Sequence, residues 1–441
     1  MKPIDRRDFL RGGALATAAA GLAGSGALLT TRVVFAGAQG PLGLARGAVR
    51  DPRLVLIILR GAMDGLAAVP PCGDPEYMRL REGIALPTPG VAGGALALDG
   101  TFALHPSFGF LHECYGAGEL IVFHAVASPY RARSHFDGQD VLENGTSQPH
   151  ALRTGWLNRA LVALPALPER SVARDSKGGP RQLGVALGQN VPLVMRGPAE
   201  VASWAPSRLA PLDDDTLARI EDLYASDPLL ARRLADALAA QAMADAGGDT
   251  TMLPPSAERF PLAQPAAKPA GRYTEIIRAA AGFLRREDGP RIAVFDTNGW
   301  DTHANEGGAQ GALGQRFGVL DSALRAFKED LGPAWRETAI VLATEFGRTA
   351  AVNGTRGTDH GTATASLLLG GAVRGGRVVA DWPGLSERVL HDGRDLAPTL
   401  DLRSVLKGLL HEQLGIPPRA LEDSVFPQSA QAPPLKDLLR T

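Results

Sequence analysis

The segment Arg53–Arg60, R-L-V-L-I-I-L-R, sets six consecutive apolar residues between two arginines. With no polar alternation it has no face to offer water, so a strand made of it must be covered on both sides. Similar apolar runs recur at Leu120–Val126, Arg291–Phe295, Thr338–Ala343 and Ser366–Leu369. Helical patterns lie at 135–144, 215–245, 273–286, 309–331 and 399–414. Buried strands alternating with helices predict an α/β fold, a parallel-sheet three-layer sandwich. In such sheets ligands bind beyond the carboxyl ends of the strands.

Two stretches interrupt the pattern. Residues 246–271 are rich in Gly, Pro and Ala, and 167–214 are irregular. Together they predict an irregular insertion over about 167–271 within a working domain of 39–424. The Pro-rich tail 425–441 is expected to be peripheral.

The chain opens with an address. Asp5-Arg6-Arg7-Asp8-Phe9-Leu10 precedes a weakly apolar Ala/Gly/Leu run from Gly12 to Leu29, and Ala36-Gly37-Ala38 offers small residues for cleavage. This is the pattern of a twin-arginine signal peptide over 1–38, so the expected location is the periplasm or outside the cell. The partner during export is the twin-arginine translocase. Beyond that run, nothing approaches the roughly 18 apolar residues of a span, so no stable membrane span is expected. Lys plus Arg number 46 and Asp plus Glu 47, a net charge of −1, which gives no general attraction for nucleic acid. Cys72 and Cys114 allow one bridge at most and lack C-x-x-C metal spacing.

The polar residues that could carry chemistry follow the apolar runs. Asp64 comes just after the first. Asp301 and His303 lie in W-D-T-H after the third, Glu345 lies in T-E-F-G-R after the fourth, and Asp359-His360 lie in the glycine-flanked G-T-D-H-G. Carboxylate oxygens and imidazole nitrogens are ligands for zinc or manganese. Ser134, in R-A-R-S-H-F-D, falls at the start of a helix, where free N–H groups and the dipole favour an anion. A hydroxyl there, near a metal, can act as a nucleophile. Arg131 and Arg133 add positive charge, and Arg348 is placed to pair with Glu345 or with a substrate oxyanion.

The motifs L-R-G-A-M-D-G-L, S-P-Y-R-A-R-S-H-F-D, T-G-W-L-N-R, D-T-N-G-W-D-T-H, T-E-F-G-R-T and G-T-D-H-G, in this order, resemble the bacterial family called domain of unknown function 1501. The resemblance spans about residues 50–415. That family is similar in fold to the alkaline phosphatase and sulfatase superfamily, which implies an alkaline phosphatase-like sandwich. It further implies metal ligands at Asp64, Asp301, His303, Glu345, Asp359 and His360, with Ser134 as nucleophile and Arg133 and Arg348 beside it. The implied cofactor is one or two divalent ions, zinc first, with manganese or calcium as alternatives. Two features depart from the superfamily. Glu345-Phe346 stands where Asp-His is usual, which removes one nitrogen ligand, and D-x-H at Asp301–His303 replaces D-x-x-x-H. Neither Cys72 nor Cys114 fits the formylglycine motif of sulfatases.

The resemblance implies an exported metal-dependent hydrolase of phosphate or sulfate esters, acting on a small anionic ester or a polymer. The alternative, favoured by Glu345-Phe346, is a non-catalytic secreted binding or assembly protein that retains the fold.

Overall fold

The computed structural model describes residues 50–165, 183–206, 214–245 and 269–440. The signal peptide with Arg6 and Arg7 lies outside the described residues, as do parts of the predicted insertion. The strands are β1 (Arg53–Arg60), β2 (Leu96–Ala97), β3 (Ala103–Leu104), β4 (Leu120–Ala127), β5 (Gly184–Leu187), β6 (Ala202–Trp204), β7 (Ile292–Asn298), β8 (Thr338–Ala343), β9 (Thr364–Leu369), β10 (Arg377–Val379) and β11 (Leu400–Asp401). The helices used below are α1 (Gly65–Ala68), α2 (Tyr77–Leu80), α3 (Gly109–Gly116), α4 (His135–Asn144), α5 (Trp156–Val162), α6 (Asp214–Tyr224), α7 (Pro228–Asp245), α8 (Pro269–Arg285), α9 (Ala312–Leu331) and α10 (Leu402–Leu414).

The main sheet runs β10-β4-β9-β8-β1-β7-β5-β6, with β11 also paired to β4. Side chains on a strand alternate between faces, and here the alternation sorts the core into two layers. On β1, Val55, Ile57 and Leu59 pack with α3, α8 and α9. Leu54, Leu56 and Ile58 pack on the other side with α5 and α10. This is the three-layer α/β sandwich that the unbroken apolar runs require.

The sheet is not wholly parallel. β1 is parallel to β7 and β8, whereas β9 is antiparallel to both β8 and β4. Two reversals make β4 parallel to β8, so β1, β4, β7 and β8 end at one edge. β9 begins at that edge. A loop leading into β9 therefore meets loops leaving the other four, which brings sequence-distant segments to one place.

Three expectations change. Residues 183–206 were expected to be irregular, yet they add β5 and β6 to the sheet beside β7; at four and three residues these strands are too short to show a period. The pattern at 215–245 is two helices, because Asp227 Oδ1 accepts from the Leu229 and Leu230 N–H groups and caps α7 anew. The tail is not peripheral. Phe426, Leu438 and Leu439 are buried in the α10 layer, and buried Lys407 on α10 donates to the Ser429 and Ala432 carbonyls.

Candidate metal centre

Beyond β1 the chain turns sharply at Gly61, whose φ is +119°. A Cβ there would lie 2.7 Å from the Asp301 nitrogen, so only glycine lets the β1 turn touch the loop after β7. A Cβ on Gly357 would stand 2.4 Å from the His303 carbonyl carbon, so the loop before β9 is seated equally closely on the Asp301–His303 loop. His135 opens α4, which follows β4.

Three imidazoles meet at this edge. His135 Nδ1 lies 2.8 Å from Glu345 Oε1, His303 Nδ1 3.2 Å from Asp359 Oδ1, and His360 Nδ1 3.0 Å from the Arg133 carbonyl oxygen. An ionised carboxylate or a carbonyl oxygen only accepts, so each Nδ1 donates. In the neutral ring that leaves each Nε2 as a lone pair. All three Nε2 atoms face Asp301. His303 Nε2 is 3.1 Å and His360 Nε2 3.4 Å from its Oδ1, and His135 Nε2 is 3.3 Å from its Oδ2. His303 Nε2 and His360 Nε2 are 2.9 Å apart. Ligand atoms of His135, Asp301 and His360 all lie within 4.8 Å of one another.

This donor set fits a divalent ion. Ligands each about 2.0–2.1 Å from a zinc ion stand about 3.3 Å apart in a tetrahedron, and the spacings around Asp301 bracket that value. Two lone pairs facing at 2.9 Å repel unless a proton or a metal cation lies between them. His135 Nε2 is also a buried nitrogen without a hydrogen-bond partner. The Nδ1–carboxylate and Nδ1–carbonyl contacts are the arrangement that fixes tautomer and ring orientation in metal-binding histidines.

The electrostatics follow from the packing. Burial disfavours the ionised Asp301 carboxyl, but buried Arg348 and then the three imidazoles outweigh it and hold the group below its usual range. The hydrogen bond to Glu345, more than any other influence, raises His135. Burial first, then the neighbouring His135 and Arg348, lowers His360. Burial works against ionised Glu345, yet His135, its own backbone, Gln139 and Gly61 N–H together keep it low.

The structure brings Asp301, His303 and His360 together and gives the other expected residues different partners. Glu345 is fully buried. Its Oε1 accepts from Gly61 N–H, His135 and Gln139, and its Oε2 from Thr344. With both oxygens engaged it orients His135 instead of facing an ion. Asp359 similarly holds His303 Nδ1 and the Asn353 amide. Asp64 is the N-cap of α1 and is buried against Arg81, which follows α2. Arg81 reaches both carboxylate oxygens, so the cation at Asp64 is a guanidinium. Burial favours neutral Asp64, but Arg81 outweighs it and keeps the pKa below normal.

Arg133 turns away to Asp392 and Asp395, and its contribution is its carbonyl, presented to His360 from a backbone at φ +61°. Arg348 pairs with Asp301 at 2.6 Å, not with Glu345. Ser134 is the N-cap residue of α4, half-buried, and its hydroxyl makes no capping hydrogen bond. His135 stands in this cluster although the sequence does not single it out. Its signal was adjacency to Ser134 at a helix start after a buried strand.

Phe346 packs against the His135 and His360 rings, with centroids 5.1 and 5.2 Å away. In the chain after β8, Phe346 thus forms an apolar wall beside these rings, and His135 reaches it from α4.

Residues 105–425 match the family model described as "Protein of unknown function (DUF1501)", and residues 3–23 match the twin-arginine translocation pathway signal sequence. The chain thus carries an export signal for the periplasm or beyond. Among the described residues no helix is long and apolar enough to cross a membrane. No curated protein matches the sequence. Solved structures similar to the chain include the lipoteichoic acid synthase LtaP from Listeria monocytogenes, 10% identical with a TM-score of 0.34, over 84% of this chain and 74% of that one. Another is the phosphonate monoester hydrolase of Agrobacterium radiobacter, 12% identical with a TM-score of 0.33, over 83% and 74%. A third is the C-terminal periplasmic domain of EcEptC from Escherichia coli in complex with Zn, 10% identical with a TM-score of 0.27, over 74% of each chain.

Proposed function

The chain belongs to the family of unknown function DUF1501, and on that premise we propose that it is an exported metal-dependent hydrolase of phosphate or sulfate esters. The observation that carries the metal centre is the convergence of three Nε2 lone pairs on Asp301, each fixed by an acceptor at Nδ1. His135, Asp301, His303 and His360 would hold the ion, zinc by the chemistry of the donor set, with manganese next. Bound there, a divalent ion polarises an ester oxygen and eases deprotonation of a hydroxyl or water nearby.

The chain's own residues do the rest. Glu345, Asp359 and the Arg133 carbonyl hold the imidazoles in the binding tautomer. Arg348 keeps Asp301 ionised. Ser134 is the nucleophile in this reading. Its hydroxyl is uncommitted, it neighbours His135, and it stands at the amino end of α4, where helix N–H groups favour an anionic ester. The ester class rests on the resemblance of the motifs to the DUF1501 family, which is similar in fold to the alkaline phosphatase and sulfatase superfamily.

The test is metal analysis of protein purified from the periplasm, followed by a panel of phosphate and sulfate mono- and diesters with the metal removed and restored. The expected result is one equivalent of a divalent ion and hydrolysis that a chelator abolishes. Exported, folded protein with bound metal but no turnover would favour the binding or assembly reading. Protein that takes up no metal would overturn the centre itself.

A further inference from the structure

We infer that Glu306 is a positioning residue for this centre, a buried acceptor shared by the two loops carrying Asp301, His303 and His360. The inference rests on the metal-centre reading and adds a residue three positions beyond the last ligand of its loop.

Glu306 is fully buried. Its Oε2 accepts from the Thr302 hydroxyl at 2.8 Å and from the Thr358 hydroxyl at 2.7 Å. Thr302 stands between Asp301 and His303, and Thr358 stands two residues before His360. One oxygen thus reaches both ligand-bearing loops from beneath. Other bonds join the same loops: the Asn305, Glu306 and Thr358 N–H groups donate to the Thr355, Arg356 and Thr302 carbonyls, and the Asn353 amide and Thr355 hydroxyl donate to the His303 carbonyl. Among the side chains that join them, Glu306 is the fully buried acceptor. The other oxygen, Oε1, makes no hydrogen bond with good geometry and lies 4.0 Å from Arg81, which is itself paired with Asp64. Burying a carboxyl group costs stability, and a plain turn needs none. What the buried group does achieve is a fixed separation of two loops whose Nε2 atoms stand 2.9 Å apart. Holding ligands in place before the ion arrives raises affinity, because less ordering remains for binding.

The test compares the stripped wild-type chain with Glu306→Leu, Glu306→Gln and Thr302→Val/Thr358→Val, titrating zinc against a competing chelator at neutral pH. Leucine removes the acceptor, and the valine pair removes the two donors while leaving Glu306 in place. Each should weaken zinc binding by about 10–100-fold, the usual cost of losing an outer-shell partner. Glutamine keeps an acceptor oxygen for both hydroxyls and turns an amide donor toward Asp64, so it should restore binding to within about threefold.

The rise in Tm on adding zinc should shrink in the first and third variants. A merely structural role would lower Tm with and without zinc alike and leave that increment unchanged. If Glu306→Leu fails to fold, the valine pair still decides the matter. Wild-type affinity in the valine pair, or loss in Glu306→Gln equal to that in Glu306→Leu, would overturn the inference while the centre stands. Failure of the wild-type chain itself to bind zinc would overturn the centre and the inference together.

Discussion

Glu345 Oε1 lies 2.8 Å from His135 Nδ1, and the pair joins the chain after β8 to the first residue of α4. By occupying Nδ1 the carboxylate turns Nε2 toward Asp301. Glu345 and His135 are therefore one device, in which the carboxylate of one element aims the imidazole of another.

Metal occupancy should separate their roles. His135→Ala removes a lone pair that alanine cannot supply, so zinc occupancy should collapse. Glu345→Gln keeps an acceptor but loses the charge, and zinc affinity should fall by about 10–100-fold without being abolished. Metal analysis after dialysis against a weak chelator reads both, and equal occupancy in His135→Ala and wild type would remove His135 from the ligand set.

Ser134→Ala should keep its metal and lose turnover. A nucleophile contributes in the transition state far more than in ground-state binding, so kcat should fall by at least about 100-fold with little change in zinc content. An ester hydrolysed at the wild-type rate by this variant would assign the attack to a water molecule instead.

Asp64 should prove to be a stability residue. Arg81→Met leaves a buried, unpaired carboxylate, and urea denaturation should show a loss of roughly 3–5 kcal/mol. Asp64→Asn should unfold more easily too, but bind the same number of zinc ions as wild type. A lower zinc count in folded Asp64→Asn would return Asp64 to the ligand set.

Acid should destabilise the fold through two buried histidines that are not among the candidate ligands. Burial pushes His105 and His124 down to about 4. The unfolded chain, with imidazoles near about 6.5, takes up protons first as pH falls. Stability contributed by these groups is therefore complete above about 6.5 and is lost between there and about 4, by up to roughly 3 kcal/mol each. Tm of the metal-free protein should drop steadily from pH 7 to pH 5; a flat profile would contradict it.

Replacing Arg6 and Arg7 by lysine should leave full-length precursor in the cytoplasm, because the paired guanidinium groups are the signal. Immunoblots of periplasmic and cytoplasmic fractions check this, and normal export of the double variant would refute it.

Much of the molecule was readable as sequence because local rules governed it. The run Leu54–Leu59 had to be covered on both sides, and the packing of its alternate residues on α3, α8 and α9 or on α5 and α10 bears that out. The strand-end rule pointed to Asp301 and His303, which follow β7, His360 was singled out in its glycine-flanked loop, and the twin arginines named the export route. Tertiary structure alone decided what each polar group does. β9 runs against its neighbours, so His360, which precedes a strand, meets Asp301, which follows one. Asp64 ends against Arg81, and Glu345 ends surrounded by donors, because a buried carboxylate is held by whichever cation or N–H groups the folded chain brings to it. Periodicity records which residues must leave water. It contains no term for which buried partner they will meet, and that pairing separates an ion's ligand from the residue that aims it.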